Sequence, residues 1–484
     1  MARKGEDKAY VKELTSKRED FAQWYVDVIR KTDMADYTTL KGCMVIKPYG
    51  FALWEGIRQA LDQRIRRTGH KNAYFPLFVP ESLLKLEADH VKGFAPEVAW
   101  VTKGGSEELE EPLAIRPTSE AIICSIYAKW VQSYRDLPIL INQWANVVRW
   151  EKVTRLFLRT TEFLWQEGHT CHRTQEEAQE ETIRMLEVYR EFAETELAMP
   201  VLYGEKTDSE KFAGAQKTYA IEALMADGKA LQAGTSHNLG QHFAKVFQIK
   251  FLDEDQKEKY VWQTSWGVST RLIGGVVMMH GDDYGLALPP RIAPVQVVFV
   301  PIYFSDSMEE VIRKVKELGD KLGAYRVELD LRDTQTAGWK FNEWEMKGVP
   351  LRIEVGPKDI KKKQVVMVRR DTREKTFVPE ERFVETVGEQ LEDIQRNLFQ
   401  RALDFRKDNT SHTDDYGEFK EIIERKRGFI VSGWCGDPLC EAKVKEDTKA
   451  TIRCLPLEEL DATGARCLAC GKPAAKRAYF ARAY

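Results

Sequence analysis

Residues 146–170 read NVVRWEKVTRLFLRTTEFLWQEGHT, and this stretch decides the fold. Extended segments on either side of a polar loop at 152–156 predict a hairpin, and alternate residues of a strand share a face. Arg149 and Glu151 then point one way on the first segment, while Phe157, Arg159, Phe163, Trp165 and Glu167 share a face on the second. A purely structural hairpin buries an aliphatic face. This one lines up guanidinium groups, carboxylates and flat rings: arginine suits phosphate, a ring suits a base, and a carboxylate suits an amino group. The competing reading is a solvated edge hairpin, for which two tryptophans and two phenylalanines are a poor choice.

The chain has 484 residues, 43% hydrophobic and 31% charged, enough for about two to four domains with their own cores. Disorder of the whole chain is excluded. With a formal net charge of −3, any nucleic-acid binding has to come from local basic patches rather than the overall field. No apolar run is long enough to cross a bilayer, and the charged start MARKGEDKAYVKELTSKRED lacks a secretory core, so the expected location is the cytoplasm, with no membrane partner. Eight cysteines do not suggest a disulfide scaffold; five fall in the last 50 residues, and Cys43, Cys124 and Cys171 read as buried or free thiols.

Residues 1–20 are polar and read as a loosely attached lead-in. Helical spacing covers 21–34, and in 49–68 the residues Leu53, Trp54, Ile57, Leu61 and Ile65 form one face, with Gly69 as the stop. AYFPLFVP (73–80) is strand-like, and Pro76 and Pro80 suit a sheet edge, which can also be a subunit contact. LAIRPTSEAIICSIYAKW (113–130) reads as strand, turn and helix, with Thr118 or Ser119 as an N-cap, a role compatible with touching a ligand. A charged amphipathic helix covers 175–198. Small residues around Thr235 and His237 in LQAGTSHNLG (231–240) let backbone approach a ligand. A lone histidine is more often structural, but a threonine and a histidine two apart on one strand face favour a site. Arg271, ahead of a Gly-rich apolar segment in SWGVSTRLIGGVVMMHGDD, needs an anionic partner, either carboxylate or phosphate.

Pro289, Pro290 and Pro294 mark a linker. Beyond it, strands at 295–303, 325–331, 351–356 and 364–368 alternate with helices at 308–322 and around 339–346, an α/β layout with a mostly parallel or mixed sheet. A long helix at 380–407 leads to the tail. There CGDPLC (Cys435, Cys440) and CLAC (Cys467, Cys470) form two short-spaced pairs that can close on one tetrahedral zinc ion, structural because no open position is evident. Cys454 is a bystander or a substitute ligand. The terminal FARAY can dock in a groove or fray.

The Pro76 strand, the Arg-x-Glu, loop, Phe-x-Arg-x-x-x-Phe hairpin and the late Arg271 resemble the three motifs of class II aminoacyl-tRNA synthetases. More narrowly, RPTSE, NVVRWE, FLRTTEFLWQEGHT, KFAGA, GTSH and SWGVSTRLIG are similar to the prolyl-tRNA synthetase family of the archaeal and eukaryotic-like type, from about residue 20 to the last residue. Thr270 stands where class II chains usually have an acidic residue, a departure that agrees with the prolyl subgroup. The resemblance implies an α/β and α+β multidomain chain: lead-in (1–20), antiparallel-sheet class II catalytic domain (21–288), α/β anticodon-binding domain (289–395) and C-terminal zinc-binding domain (396–484). It also implies a homodimer that activates L-proline with ATP, magnesium accompanying the nucleotide, and transfers the prolyl group to the 3′ end of tRNA(Pro). Such chemistry needs positioning and charge stabilisation rather than a covalent nucleophile, and the chain has no convincing Ser-His-Asp or Cys-His arrangement.

Residue by residue, the resemblance implies that Arg149 bridges the proline carboxylate and the α-phosphate and is catalytic together with Arg271. Arg159, Thr160 and Arg271 would hold ATP, Phe163 would stack on the base, Glu151 would sit near the adenine amino group, and Gln232 and Thr235 would add polar contacts. Thr118, Glu120 and His237 would fix the proline imino and carboxylate groups, and Trp165, Glu167, Phe212 and Ser269 would shape its pocket. Glu345, Arg352 and Lys358 match anticodon-reading positions, with KDIKKK (358–363), Arg369 and Arg370 supplying positive charge; a solvated loop is the other reading of KDIKKK. Tyr484 would lie toward the catalytic domain. The interval between the second and third motifs leaves no room for a large editing domain, so mischarged product is expected to be cleared by a separate protein. Two other readings stay open: a synthetase of the same subclass for threonine, histidine or glycine, and a non-catalytic RNA-binding paralogue. Arg149, Arg159 and Arg271 argue against the latter, since a dead site has no use for three unpaired arginines.

Overall fold

Residues 146–170 fold back as a hairpin whose strands stop earlier than the alternation suggests. In the computed structural model, which describes residues 14–88, 98–458 and 460–484, the strands are Ile139–Val148 and Glu162–His172, paired antiparallel. The connection 149–161 closes on itself through Arg149 N–H to Thr161 O (2.8 Å) and Arg155 N–H to Arg159 O (2.7 Å). Arg149, Glu151, Phe157 and Arg159 therefore lie on no strand face. Phe157 is the clearest departure: at φ 60° it adopts left-handed backbone inside the tight turn, which breaks the two-residue alternation, and its ring is buried in the main core rather than facing a ligand.

The hairpin belongs to an antiparallel sheet made of β2 (Ile139–Val148), β3 (Glu162–His172), β4 (Val201–Glu205), β5 (Lys217–Leu224), β6 (Ala230–Gly240) and β7 (Trp262–Ser269), with β1 (Lys71–Asn72) parallel at one edge. The order is β4-β5-β6-β7-β3-β2-β1. Helices α1 (Phe21–Lys31), α2 (Pro48–Arg67), α4 (Gln175–Thr195) and α5 (Arg271–His280) share the main core, whereas α3 (Glu120–Trp130) belongs to a second apolar cluster that includes Cys171 of β3. Sequence explains the starts: Thr174 and Glu177 form a reciprocal capping box on α4, and Asp20 caps α1. Ser119 precedes α3 but makes no side-chain cap bond, so that part of the cap expectation gives way to the contacts described below. Pro76 lies between the short strands Lys71–Asn72 and Phe78–Pro80 rather than within one. Residues 173–261, between β3 and β7, are spent on α4, β4–β6 and short connections, with no further domain inserted.

Part of the lead-in is docked. Thr15 donates to Asp27, and Lys17 donates through its backbone N–H to Asp283 (2.6 Å) and through Nζ to Gly281 O. Residues 1–13 lie outside the described residues.

The next unit is a mixed sheet ordered β9-β8-β10-β11-β12, with β8 (Val297–Pro301), β9 (Val327–Leu329) and β10 (Leu351–Val355) parallel and β11 (Gln364–Arg369) and β12 (Lys375–Pro379) antiparallel. Helices α6 (Met308–Asp320) and α7 (Ala337–Met346) accompany it. Helix α8 (Phe383–Asp408) then runs through the 395/396 division expected between domains.

The tail comprises β13 (Thr410–His412), α9 (Tyr416–Arg425), β14 (Phe429–Trp434), α10 (Pro438–Thr448), β15 (Thr451–Pro456) and β16 (Lys476–Ala481). It is not a separate appendage: β15 pairs with β4 through Leu455↔Glu205 and Pro456↔Gly204, making one continuous sheet of 11 strands. Beneath that seam Glu222 of β5, fully buried, accepts from Lys206 Nζ (2.7 Å) and Arg453 Nη2 (3.0 Å). Glu222→Ala leaves two buried cations side by side, a defect costing about 3–5 kcal/mol. The apparent melting temperature of this variant is expected to fall by several degrees in calorimetry; an unchanged melt would show that the seam carries no weight. Among the described residues, no helix is long and apolar enough to cross a membrane.

Candidate active site

On β3 the odd residues Phe163, Trp165, Glu167 and His169 face a cavity of about 280 Å³. The even residue Gln166 turns to α4, where its amide lies 2.6 Å from the Tyr189 hydroxyl. Cross-strand register builds the cavity floor. Thr218, His237, Ser265 and His169 stand opposite one another on β5, β6, β7 and β3, and Thr235, Gly267 and Glu167 form the next row. Thr118 and Glu120 enter from the start of α3, Phe212 from the loop before β5, Arg149 from the hairpin turn and Arg271 from the first residue of α5. Gln232 and Ser269 complete the expected set brought to this cavity.

Glu151, Arg159 and Thr160 do not line it. Arg159 Nε and Glu151 Oε2 lie 3.9 Å apart in a half-exposed pair, and the Thr160 hydroxyl is committed to Glu162 O (2.7 Å). Sequence reasoning missed His169, Thr218 and Ser265. His169 was findable, because it continues the same alternation two residues past Glu167.

Charge decides what the cavity accepts. Arg149 lines the cavity with its side chain open to solvent: its Nε donates to Pro117 O (3.0 Å), and its guanidinium lies 5.5 Å from the Phe163 ring and 5.4 Å from the Trp165 ring. Desolvation in the cavity pulls the Arg149 pKa down, opposed by Glu120, Glu167 and Glu151. Arg271 Nε donates to Leu158 O (3.1 Å), and burial, followed by the positive charges of Arg159 and Arg149, brings its pKa down to about 10. Guanidinium groups crowded in this way call for an anion.

The carboxylates are largely occupied. Glu120 accepts from the Thr118 hydroxyl. Glu167 accepts from Ser119 Oγ and Gln143 Nε2 (2.8 Å) and pairs with His169 Nε2 (3.0 Å). Burial alone would raise the Glu167 pKa, but the bonds from His169, Ser119 and Gln143 hold it below the usual carboxylate value; burial would lower that of His169, but Glu167 and then Glu120 raise it. His237 is different. Burial, with the His169 charge behind it, pushes its pKa down to about 3, so the ring is neutral, with Nδ1 2.9 Å from Thr218 Oγ1.

A pH dependence follows for the Glu167–His169 pair. The imidazolium contribution to stability is complete below about 6.5 and is lost as pH rises through the raised value; the carboxylate contribution is lost as pH falls through its depressed value. NMR titration is expected to place the His169 midpoint above 6.5 while His237 stays neutral to about pH 3. A His169 midpoint below 6.5 would contradict the ion pair.

Two further clusters stand apart from this cavity. Glu345 and Arg352 line a cavity of about 340 Å³ beside α7 and β10, with Phe341, Trp344, Arg370 and Arg373. Arg352 lies over the Phe341 ring (4.3 Å) and is 3.0 Å from Glu354. Lys358, on the short helix Pro357–Lys361, does not line it. Nor are Arg369 and Arg370 free positive charge: Arg369 pairs with Asp371 (2.8 Å) and Asp393, and Arg370 pairs with Asp282, because both side chains are buried and carry their own counter-charges. In the tail, the sulfurs of Cys435, Cys440, Cys467 and Cys470 all lie within 4.8 Å of one another. Cys435 Sγ is 3.7 Å from Cys440 Sγ and 3.8 Å from Cys470 Sγ. Zinc–sulfur bonds of about 2.3 Å put tetrahedral edges at about 3.8 Å, so the donor set fits a metal of that kind. Burial would raise the Cys467 thiol, but backbone N–H groups of Cys470, Ala469 and Cys435 pull it down to about 7. Cys454 is buried on β15, outside the cluster. Tyr484 is docked on the catalytic sheet: its N–H donates to Ala230 O (3.1 Å) and its hydroxyl to Asp227 (2.8 Å).

Known proteins share this organisation. The family model described as tRNA synthetase class II core domain (G, H, P, S and T) matches residues 100–280, the anticodon binding domain matches 296–390, and prolyl-tRNA synthetase, C-terminal, matches 416–484. A proline–tRNA ligase of Natranaerobius thermophilus is 60% identical over 478 residues, covering 98% of this chain and 99% of the relative. One from Symbiobacterium thermophilum is 59% identical over 488 residues, covering 99% of this chain and all of the relative, and one from Alkaliphilus oremlandii is 58% identical over 479 residues, covering 99% of each. Likeness of that degree over essentially the full length, with core, anticodon-type domain and C-terminal module all matched, places the chain in the prolyl-tRNA synthetase family of class II aminoacyl-tRNA synthetases.

Proposed function

We infer that the chain activates L-proline with ATP and transfers the prolyl group to the 3′ end of tRNA(Pro). The observation that carries the reading is the convergence of Arg149 and Arg271 on one cavity, with Arg159 beside them and no hydrogen bond from their Nη groups to protein among the described contacts. Membership of the family gives this unpaired charge its partner, the bent triphosphate and the amino-acid carboxylate.

In the activation step a carboxylate oxygen of proline attacks the α-phosphorus of ATP and pyrophosphate leaves; a terminal ribose hydroxyl of tRNA then attacks the prolyl carbonyl and AMP leaves. Arg149, fixed by Pro117 O and by the Phe163 and Trp165 rings, is placed to span both reacting anions. Arg271 and Arg159 hold the phosphate side, with Phe163 against the base; Gln232 and Thr235 make polar contacts with the nucleotide from within the cavity, and Glu151 and Thr160 would join only where the nucleotide extends to the hairpin turn outside it. Thr118 and Glu120 take the imino group. Trp165, Phe212, Ser269 and the occupied Glu167 bound the pyrrolidine ring. The Thr218 hydroxyl accepts from Phe212 N–H (2.9 Å) and lies 2.9 Å from His237 Nδ1; in the tautomer whose Nδ1 accepts the Thr218 proton, Nε2–H is the donor to the substrate carboxylate.

Magnesium fits as a companion of ATP. Glu167 is already spent on protein donors and Glu120 is assigned to the imino group, so phosphate oxygens and water would supply its ligands, and the ion would add charge neutralisation at the triphosphate. Zinc is assigned to Cys435, Cys440, Cys467 and Cys470 as a structural ion. Glu345 and Arg352 are read as anticodon contacts, with Lys358 a phosphate contact at most. Exposed Tyr74, Phe78, Trp100 and Trp130 around the three-stranded sheet of Phe78–Pro80, Glu107–Ile115 and Trp100–Gly104 support a homodimer contact there, and the cytoplasm is the location read for the protein.

Charging is the test. Purified protein is expected to attach labelled proline to tRNA(Pro) and to leave alanyl-tRNA(Pro) intact on the same timescale; absence of prolyl-tRNA would overturn the reading.

A further inference from the structure

Helix α5 begins at Arg271 in the active-site cavity and ends at His280, a rise of about 15 Å. It is buried from Leu272 to Met278. Two residues beyond its end, Asp282 receives the Arg370 fork, Nη1 to Oδ2 at 2.9 Å and Nη2 to Oδ1 at 2.6 Å. Arg370 belongs to the anticodon-type domain, and its Nε donates to Glu345 O (2.8 Å). Arg373 completes the junction: Nε is 3.2 Å from Glu345 Oε1, Nη2 is 3.7 Å from Asp282 Oδ2, and the guanidinium lies over the Tyr284 ring.

Backbone ties the same two segments. Leu286 N–H donates to Met346 O (2.9 Å) and Leu288 N–H to Gly348 O (3.2 Å), so the chain after α5 is stitched to the end of α7. The approach is close enough to demand glycine on both sides. A Cβ on Gly285, at φ 120°, would sit 2.4 Å from Met346 O, and one on Gly348, at φ 72°, would sit 2.6 Å from the Leu286 backbone. Lys17 docks on the same corner through Gly281 O and Asp283.

Glu345, Arg370 and Arg373 therefore do two things. All three line the cavity that also holds Arg352, while Arg370 and Arg373, each bonded to Glu345, hold Asp282 just past the far end of the helix that carries Arg271. A nucleotide base entering that cavity meets Glu345 and Arg373 while they are engaged across the junction, which gives its binding a route to Asp282 and α5.

We propose that Asp282 is a positioning residue for Arg271, linking occupancy of the Glu345–Arg352–Arg373 cavity by an RNA base to the affinity of the active-site cavity for ATP. The proposal rests on the reading of these two cavities as anticodon and nucleotide sites. Linkage requires the effect to be reciprocal: ATP changes RNA affinity by the same factor.

The probe is the anticodon stem-loop of tRNA(Pro) as a free RNA, with the dissociation constant of a non-hydrolysable ATP analogue measured by calorimetry on the full chain. Saturating stem-loop is expected to shift that constant in the parent by about fivefold or more, the lower end of measured allosteric couplings. In Asp282→Asn the shift is expected to fall below about twofold. A junction that only holds the domains together would lower the melting temperature and leave the shift intact. Should Asp282→Asn fail to fold, Arg373→Gln, which keeps the Arg370–Asp282 fork, is expected to reduce the shift. A stem-loop that does not bind, one that binds without moving ATP affinity in the parent, or an equal shift in parent and variants would overturn the proposal. Charging of tRNA(Pro), measured on the same protein, separates the two failures: a stem-loop that does not bind a chain unable to charge tRNA(Pro) condemns the proposed function with it, whereas lost linkage in a proline-charging enzyme condemns the coupling alone.

Discussion

Arg149→Ala is expected to lower proline-dependent ATP–pyrophosphate exchange by on the order of 10²–10³-fold or more, the range found when one preorganised charge-stabilising donor is removed. Arg149 is held in advance. Its Nε is satisfied by Pro117 O and its guanidinium is braced by two aromatic rings, so the remaining N–H groups aim into the cavity without reorganisation. Arg149→Lys should recover little, because a point charge on a flexible stem cannot span a carboxylate and a phosphate together. The Ala variant should melt close to the parent, since the side chain is exposed to solvent and its one hydrogen bond to protein among the described residues is the Nε contact with Pro117 O. Binding of tRNA should persist, because the anticodon-type cavity stands apart from this one. Exchange retained within a few-fold would remove Arg149 from the centre of the site.

Cys435→Ser is expected to lose the metal and unfold the tail. Structural zinc contributes apparent binding energies of about 10–16 kcal/mol in small metal-dependent domains, and the lost ligand is one of four. The consequence reaches further than a tail alone would suggest, because β15 continues the catalytic sheet and Tyr484 docks beside Ala230. Elemental analysis should give one zinc per parent chain and a clear deficit in the variant, with chelation of the parent reproducing its melt. A parent without zinc, or a variant that keeps its full metal content, would contradict the four-cysteine site.

What was legible in the sequence divides along physical lines. Local periodicity placed Phe163, Trp165 and Glu167 on one face of β3, and the spacing of Thr235 and His237 on β6 likewise put both in the cavity. The cysteine pairs declared their cluster because short spacers bring two thiolates to one point. Glu151, Phe157 and Arg159 went astray at the hairpin turn, where alternation has no meaning once the strands end at Val148 and resume at Glu162. Arg370 was legible as a charge but not as half of a pair, since Asp282 lies 88 residues away. The pairing of Pro456 with Gly204 was equally hidden: register between short strands far apart in the chain is set by the assembled core, not by either segment alone.

The central claim is that one cavity, walled by Arg149, Arg271, Trp165 and His237, holds ATP and proline together. Its most direct test is ATP–pyrophosphate exchange run with each amino acid in turn. Exchange with proline alone is the predicted result; exchange with threonine, histidine or glycine instead, or with none, would contradict it.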